Sequence, residues 1–96
     1  MKLSEEQLKE VQEFAEALTP PADIAKIISV DEKEFEKEIV SGRGKIFEAF
    51  TRGKLLTDVK LRKTNIAIAQ QGSSPALTLA MKMSRDIDLK IKAKKI

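Results

Sequence analysis

The chain contains no cysteine, histidine, tyrosine or tryptophan. Without cysteine there is no disulfide, no thiol nucleophile and no thiolate metal site. Without histidine, the usual general base near neutral pH and the commonest zinc ligand are both missing. No apolar run approaches the roughly 18 residues needed to span a bilayer. No signal-peptide pattern precedes the first charged helix, so a soluble, cytoplasmic-type module is expected. What is present fits one small domain: 96 residues, 42% hydrophobic, enough for a modest core, with 34% charged. These absences point to a protein that binds a partner rather than one that turns over a substrate, with no metal and no cofactor.

The net charge of +3 hides a division. Residues 1–40 carry five basic and eleven acidic groups, a balance of −6. Residues 41–96 carry thirteen basic groups against Glu48, Asp58, Asp86 and Asp88, a balance of +9. Such a split predicts either a polyanion partner for the basic half or acid-to-base contacts between subunits. Solvated helix faces that differ in sign are the plainer explanation.

Apolar spacing predicts an all-α chain. Leu8, Val11, Phe14, Ala15 and Leu18 recur on one helical face, and Ser4 with Gln7 resembles a capping box. Thr19-Pro20-Pro21 ends this helix and begins a second, because proline is tolerated in a first turn. Ser29-Val30-Asp31 reads as a tight turn, with Asp31 capping a third helix whose inward positions are Phe35, Ile39 and Val40. Ser41-Gly42-Arg43-Gly44 breaks it. A fourth helix with Ile46, Phe47 and Phe50 is expected to stop near Gly53, and a separate one to run from Leu55 to Gln71 with Thr57 as its cap. Gly72 then takes a C′ position, and Ser73-Ser74-Pro75 opens a last helix. A short loop makes these last two helices an antiparallel hairpin. In the tail, Ile87, Leu89, Ile91 and Ala93 alternate with polar residues, which predicts a short strand that pairs with a copy of itself. A frayed basic helical end is the competing expectation.

The segment from Pro21 to Val40, helix, three-residue turn, helix, looks like a helix-turn-helix that sets its second helix in the DNA major groove. That second helix is acidic, with Asp31, Glu32, Glu34, Glu36 and Glu38 against Lys33 and Lys37. Phosphates repel carboxylates, so DNA contact requires that Lys33 and Lys37 face the groove or that the basic second half carries the binding. A third outcome keeps the fold and loses DNA. Gly42-Arg43-Gly44-Lys45 lacks the glycine spacing of a phosphate-binding loop. It reads as a connector able to touch a nucleic-acid backbone. Asp86 and Asp88, on one side of the expected strand, are a weak metal pair. Ser73 and Ser74 have no histidine to activate them.

The stretch "IFEAFTRGKLLTDVKLRKTNIAIAQQGSSPALTLAMK", Ile46 to Lys82, resembles phage terminase small subunits. An aromatic helix with Phe47 and Phe50 leads to Arg52-Gly53. A helix bearing Leu61-Arg62 follows, running to Ala69 and Gly72. Pro75, Ala76, Leu77, Leu79 and Lys82 open the last one. With the upstream helix pair, the resemblance spans residues 21–83. Ala80 and Met81 replace the family's Trp or Ile near the end of the last helix, and the chain is short for the family. The resemblance implies a non-enzymatic viral DNA-recognition protein in the cytoplasm of a bacterial host. It would assemble into a ring and engage a large ATP-hydrolysing subunit. The expected organisation is residues 1–43 for the DNA-binding helices, 44–85 for an oligomerising hairpin and 86–96 for a basic tail. Lys33, Lys37, Arg43, Lys45, Lys60, Arg62 and Lys63 are the expected DNA contacts. Val59, Ile66, Leu79, Met83, Ile87, Leu89 and Ile91 are the expected oligomer contacts. A dimeric transcription regulator and a helical adaptor without nucleic acid are the competing readings.

Overall fold

Ser4 closes the capping box: its Oγ accepts from the Gln7 N–H at 3.1 Å, and Gln7 Oε1 accepts from the Ser4 N–H at 3.0 Å. Two of the four donors a helix leaves unpaired at its start are satisfied this way. From there the computed structural model, which describes residues 1–94, is all-helical. It contains α1 (Glu5–Glu16), α2 (Pro21–Ile27), α3 (Glu32–Val40), α4 (Lys45–Gln70) and α5 (Ser74–Lys94). Contacts divide the chain into two units, Met1–Asp58 and a second that begins at Val59.

In the first unit α1, α2, α3 and the start of α4 enclose a core of Val11, Ile24, Ala25, Ile28, Phe35 and Ile46. Val11, Ile24 and Phe35 are completely buried. Burial of such side chains contributes roughly 1.5–3 kcal/mol each. Asp31 caps α3, its Oδ2 accepting from the Glu34 N–H at 2.9 Å.

Four helices end the same way. Thr19 N–H bonds to Phe14 O at 3.0 Å and Leu18 N–H to Ala15 O at 2.9 Å. Val30 N–H to Ala25 O and Ser29 N–H to Lys26 O repeat the pair at the end of α2. Ser73 N–H to Ile68 O and Gly72 N–H to Ala69 O repeat it after α4, and Gly42 N–H to Ile39 O marks the end of α3. In each case the C′ residue has positive φ, but only Gly42 and Gly72 are glycines; Leu18 (φ 59°) and Ser29 (φ 60°) hold the strained conformation with a side chain.

The expected break at Gly53 does not occur. Residues 45–70 form one helix of 26 residues, and Gly53 lies buried inside it. A Cβ there would sit 2.2 Å from the Gln12 carbonyl oxygen and 2.9 Å from Ala15 Cβ. The glycine is a helix-packing residue that admits α1 to the backbone of α4. Thr57 is likewise interior to α4 rather than a cap, and its hydroxyl donates to the Glu16 carbonyl, a last-turn acceptor that α1 itself leaves unpaired. Val40, expected to face inward, is 84% exposed.

The second unit holds the end of α4 and all of α5. Asn65 Nδ2 donates to the Ala76 carbonyl at 3.0 Å, tying the two segments together. The expected tail strand is absent: α5 continues helical through Lys94, and no strand occurs among the described residues. Lys95 and Ile96, the end of that expected strand, lie outside the described residues. In an α-helix, Asp86 and Asp88 point to different sides, which removes the metal pair that strand geometry suggested. Among the described residues no group of three acidic side chains could hold a metal ion. No described helix is long and apolar enough to cross a membrane.

Candidate nucleic-acid interface and assembly surface

Helix α3 is held by the core through Phe35 and Ile39. At 3.6 residues per turn, Lys37 lies about 180° around the helix from the midpoint of that pair, with Lys33 and Val40 within about 60° of it. Glu34 lies as far from the core as Val40, about 60° to the other side of Lys37, so the outward face of α3 carries Lys33, Lys37, Val40 and Glu34, all exposed. The other carboxylates fall nearer the core, Glu32 and Glu36 on one flank and Glu38 on the other.

Three of the five acidic groups of this segment have partners. Asp31 is the N-cap. Glu32 pairs with Lys26 at 3.5 Å, and Glu38 pairs with the amino group of Met1 at 3.2 Å. Glu32 and Glu34 also sit in the first turn of α3, where the helix dipole favours negative charge. Exposed pairs of this kind add little stability. Their consequence is local: Glu32 and Glu38 are compensated, Glu34 and Glu36 are not, and among the described residues no carboxylate pairs with Lys33 or Lys37.

Beyond Val40 the chain turns through Ser41, whose hydroxyl donates to the Glu38 carbonyl at 2.6 Å. Lys37, Glu38, Ser41, Arg43 and Gly44 line one open depression of about 470 Å³. The turn thus brings Lys37 and Arg43 to the same surface. Lys45 lines a different groove, between α1 and α4, with Glu5, Lys9, Glu48 and Arg52. The mixed signs there make it a poorer place for phosphate. Lys60, Arg62 and Lys63 belong to the second unit and are exposed.

The second unit departs from ordinary helix patterning. Its partly buried residues, Asn65, Ala69, Ser73, Ala80 and Met83, and its buried Ala76 are small or slender. The large apolar side chains lie outside that seam. Val59 and Ile66 sit about 90° to one side of the Asn65–Ala69 line of α4, Leu61 and Ile68 about 70° to the other, and all four are exposed. On α5, Leu79, Ile87, Leu89 and Ile91 are also exposed. Of the seven expected oligomer contacts, Val59, Ile66, Leu79, Ile87, Leu89 and Ile91 are exposed and Met83 is partly buried in the seam; Leu61, Ile68, Leu77 and Met81, outside that set, are exposed as well. Their signal was the low amphipathicity of both helices: apolar residues on every side, as in helices with neighbours all round.

No protein-family model, curated protein or solved structure matches the chain.

Proposed function

We propose that this chain is a non-enzymatic, DNA-binding oligomeric protein. Helices α2 and α3 act as a helix-turn-helix, and the second unit assembles copies of the chain through a helical hairpin. The observation that carries the reading is the outward face of α3, where two unpaired lysines lie opposite the core beside one carboxylate, Glu34, with Arg43 joining Lys37 just beyond the helix end. An α-helix with its side chains is about 10–12 Å across, which the roughly 12 Å width of the major groove admits. Lys60, Arg62 and Lys63 add positive charge from the second unit, in keeping with a partner that is itself a polyanion.

The exposed apolar flanks of the second unit support assembly. Leaving Val59, Leu61, Ile66, Ile68, Ile87 and Ile91 in water forfeits on the order of 1 kcal/mol or more each, which neighbouring copies would recover. The order of features from Ile46 to Lys82 resembles terminase small subunits. The role that follows is recognition of viral DNA in the bacterial cytoplasm and its presentation to a large ATP-hydrolysing subunit.

The test is salt-dependent binding to duplex DNA by fluorescence anisotropy, with mass measured in parallel by light scattering. Affinity should fall with salt at a logarithmic slope of about −0.9 per phosphate contact. The variant Lys33→Gln/Lys37→Gln/Arg43→Gln should flatten that slope by two to three contacts, about 2–3 units. The mass should exceed 10.7 kDa severalfold. A monomer at high concentration, or no DNA retained at low salt, would end this reading. The adaptor reading is favoured by the acidic flanks of α3; it expects high salt to dissolve the oligomer and no DNA to bind.

A further inference from the structure

We infer that the last turns of α5 dock, as a helix, into the groove between α1 and α4 of a second copy of this chain. The contact runs from the tail of one copy to the first unit of the next. It is separate from the hairpin pairing above and does not depend on DNA.

The groove encloses about 470 Å³. Leu8 and Ala49, both half-buried, form its floor. Its rims carry Glu5 and Lys9 on α1 and Glu48 and Arg52 on α4, all four exposed. The two helices run parallel here, since Gly53 packs on Gln12 and Ala15 and Thr57 bonds to Glu16. Each rim therefore reads acid then base in the same direction, the two charges four residues or about 6 Å apart. The Gly53 contact sets Glu48 about 5 Å ahead of Glu5 along the groove. Among the described residues none of these four charges is in an ion pair.

From Ser84 to Lys94 every residue of α5 is exposed, Ile87 at 58% and Ile91 at 49% included. Four residues apart, these isoleucines share one face of the helix. Asp86 and Lys90 flank that face on one side, Asp88 and Lys92 on the other. Each flank of the tail also reads acid then base about 6 Å apart, with one flank about 3 Å ahead of the other. These four charges are likewise in no ion pair among the described residues.

Laid antiparallel in the groove, with Ile87 and Ile91 over Leu8 and Ala49, the two patterns fit together. The right-handed winding then turns the flank with Asp86 and Lys90 toward α4 and the flank with Asp88 and Lys92 toward α1. Asp86 comes level with Arg52, Lys90 with Glu48, Asp88 with Lys9 and Lys92 with Glu5, each within about 2 Å along the axis. Opposite charges meet at all four places. In the parallel orientation the same geometry sets like against like at all four. Lys45, at the open end of the groove, meets Lys94 and is the one unfavourable neighbour. Exposed ion pairs are individually weak, so here they fix orientation while the two isoleucines supply the apolar burial. Anchors at i and i+4 laid in a groove are a recurring way to bind a helix.

The chain has no cysteine, so introduced ones are unique. The docked arrangement brings position 84 of one copy near position 12 of the other. A Gln12→Cys chain is mixed with a mass-tagged Ser84→Cys chain and bridged by a short bismaleimide, and the mixed product is followed against concentration. Adding Asp86→Lys/Asp88→Lys to the second chain should raise the half-maximal concentration about tenfold. Adding Lys9→Glu/Arg52→Glu to the first chain should do the same. With both changes an all-basic tail meets an all-acidic groove, and cross-linking should return. All four reversed positions are exposed, so circular dichroism should show unchanged helix content. Equal cross-linking in all four mixtures, or no recovery in the doubly reversed one, would overturn the inference. A chain with both cysteines that cross-links only within itself would place the tail in its own groove and overturn the contact between copies. Lys33, Lys37 and Arg43 are untouched throughout, so the salt slope of DNA binding is scored separately. Ile66→Asp lies outside both tail and groove; retained cross-linking in that variant separates this contact from hairpin pairing, and its loss would overturn the independence of the two.

Discussion

In the unit Met1–Asp58, Val11, Ile24 and Phe35 have no accessible surface; in the unit that begins at Val59, the least exposed described residue is Ala76, at 8%. Both units are helical and both are rich in Leu, Ile and Val. The difference is the number of elements. Four helical segments crossing one another enclose a volume and can bury a whole side of each helix. Two segments share a single seam, and here that seam is lined by Asn65, Ala69, Ala76, Ala80 and Met83. Apolar content alone does not make a core; the elements must be numerous enough to surround it.

The most severe way to break the comparison is Phe35→Ala, which empties the centre of the first unit. It should cost about 3–5 kcal/mol and abolish or strongly shift the cooperative urea transition. Next comes Ile66→Asp with Ile87→Asp. Both positions are exposed, so in an isolated chain the change is close to neutral. If copies cover these positions, an unpaired charge in the contact costs about 3 kcal/mol, and sedimentation should report a mass near that of one chain. Gly53→Ala sharpens the contrast within α4. In open helix, alanine would gain about 1 kcal/mol over glycine. Against the backbone of α1 it should instead lose roughly 2 kcal/mol, measured as a lower urea midpoint. The smallest effect has the opposite sign. Leu18→Gly relieves a left-handed residue with an exposed side chain. After the unfolded-state entropy of glycine is subtracted, a gain of about 0.5 kcal/mol remains, visible as a slightly higher midpoint.

Much of the first unit was legible because its signals are local. Ser4, Asp31 and Pro21 start helices through bonds or dihedrals confined to a few residues, and Gly42 ends one in the same way, as Gly72 does in the second unit. Gly53 was misread because its propensity says stop, while its role is set by Gln12 and Ala15, forty residues away. Thr57 was misread for the same reason, its partner being Glu16. Val40 was placed inward by its neighbour Ile39, although one helical step of about 100° carries it to the far side. The alternation of Ile87, Leu89 and Ile91 suggested a strand. In a helix the same spacing scatters these residues around the axis, and the lysines between them are good helix formers. Lys33 and Lys37 were legible as a pair. That Glu32 and Glu38 are taken up by Lys26 and the Met1 amino group was not, because those partners come from other segments.

Position 53 admits only a hydrogen as its side chain, while Arg52 and Lys54 on either side are exposed. A library randomised over these three codons should therefore return near-free choice at the outer two and one residue in the middle. Graded replacements there, alanine then serine then valine, would prise α1 from α4 by increasing amounts without altering any residue of the second unit. They give a separation-of-function series in which loss of DNA retention and loss of assembly can be scored apart.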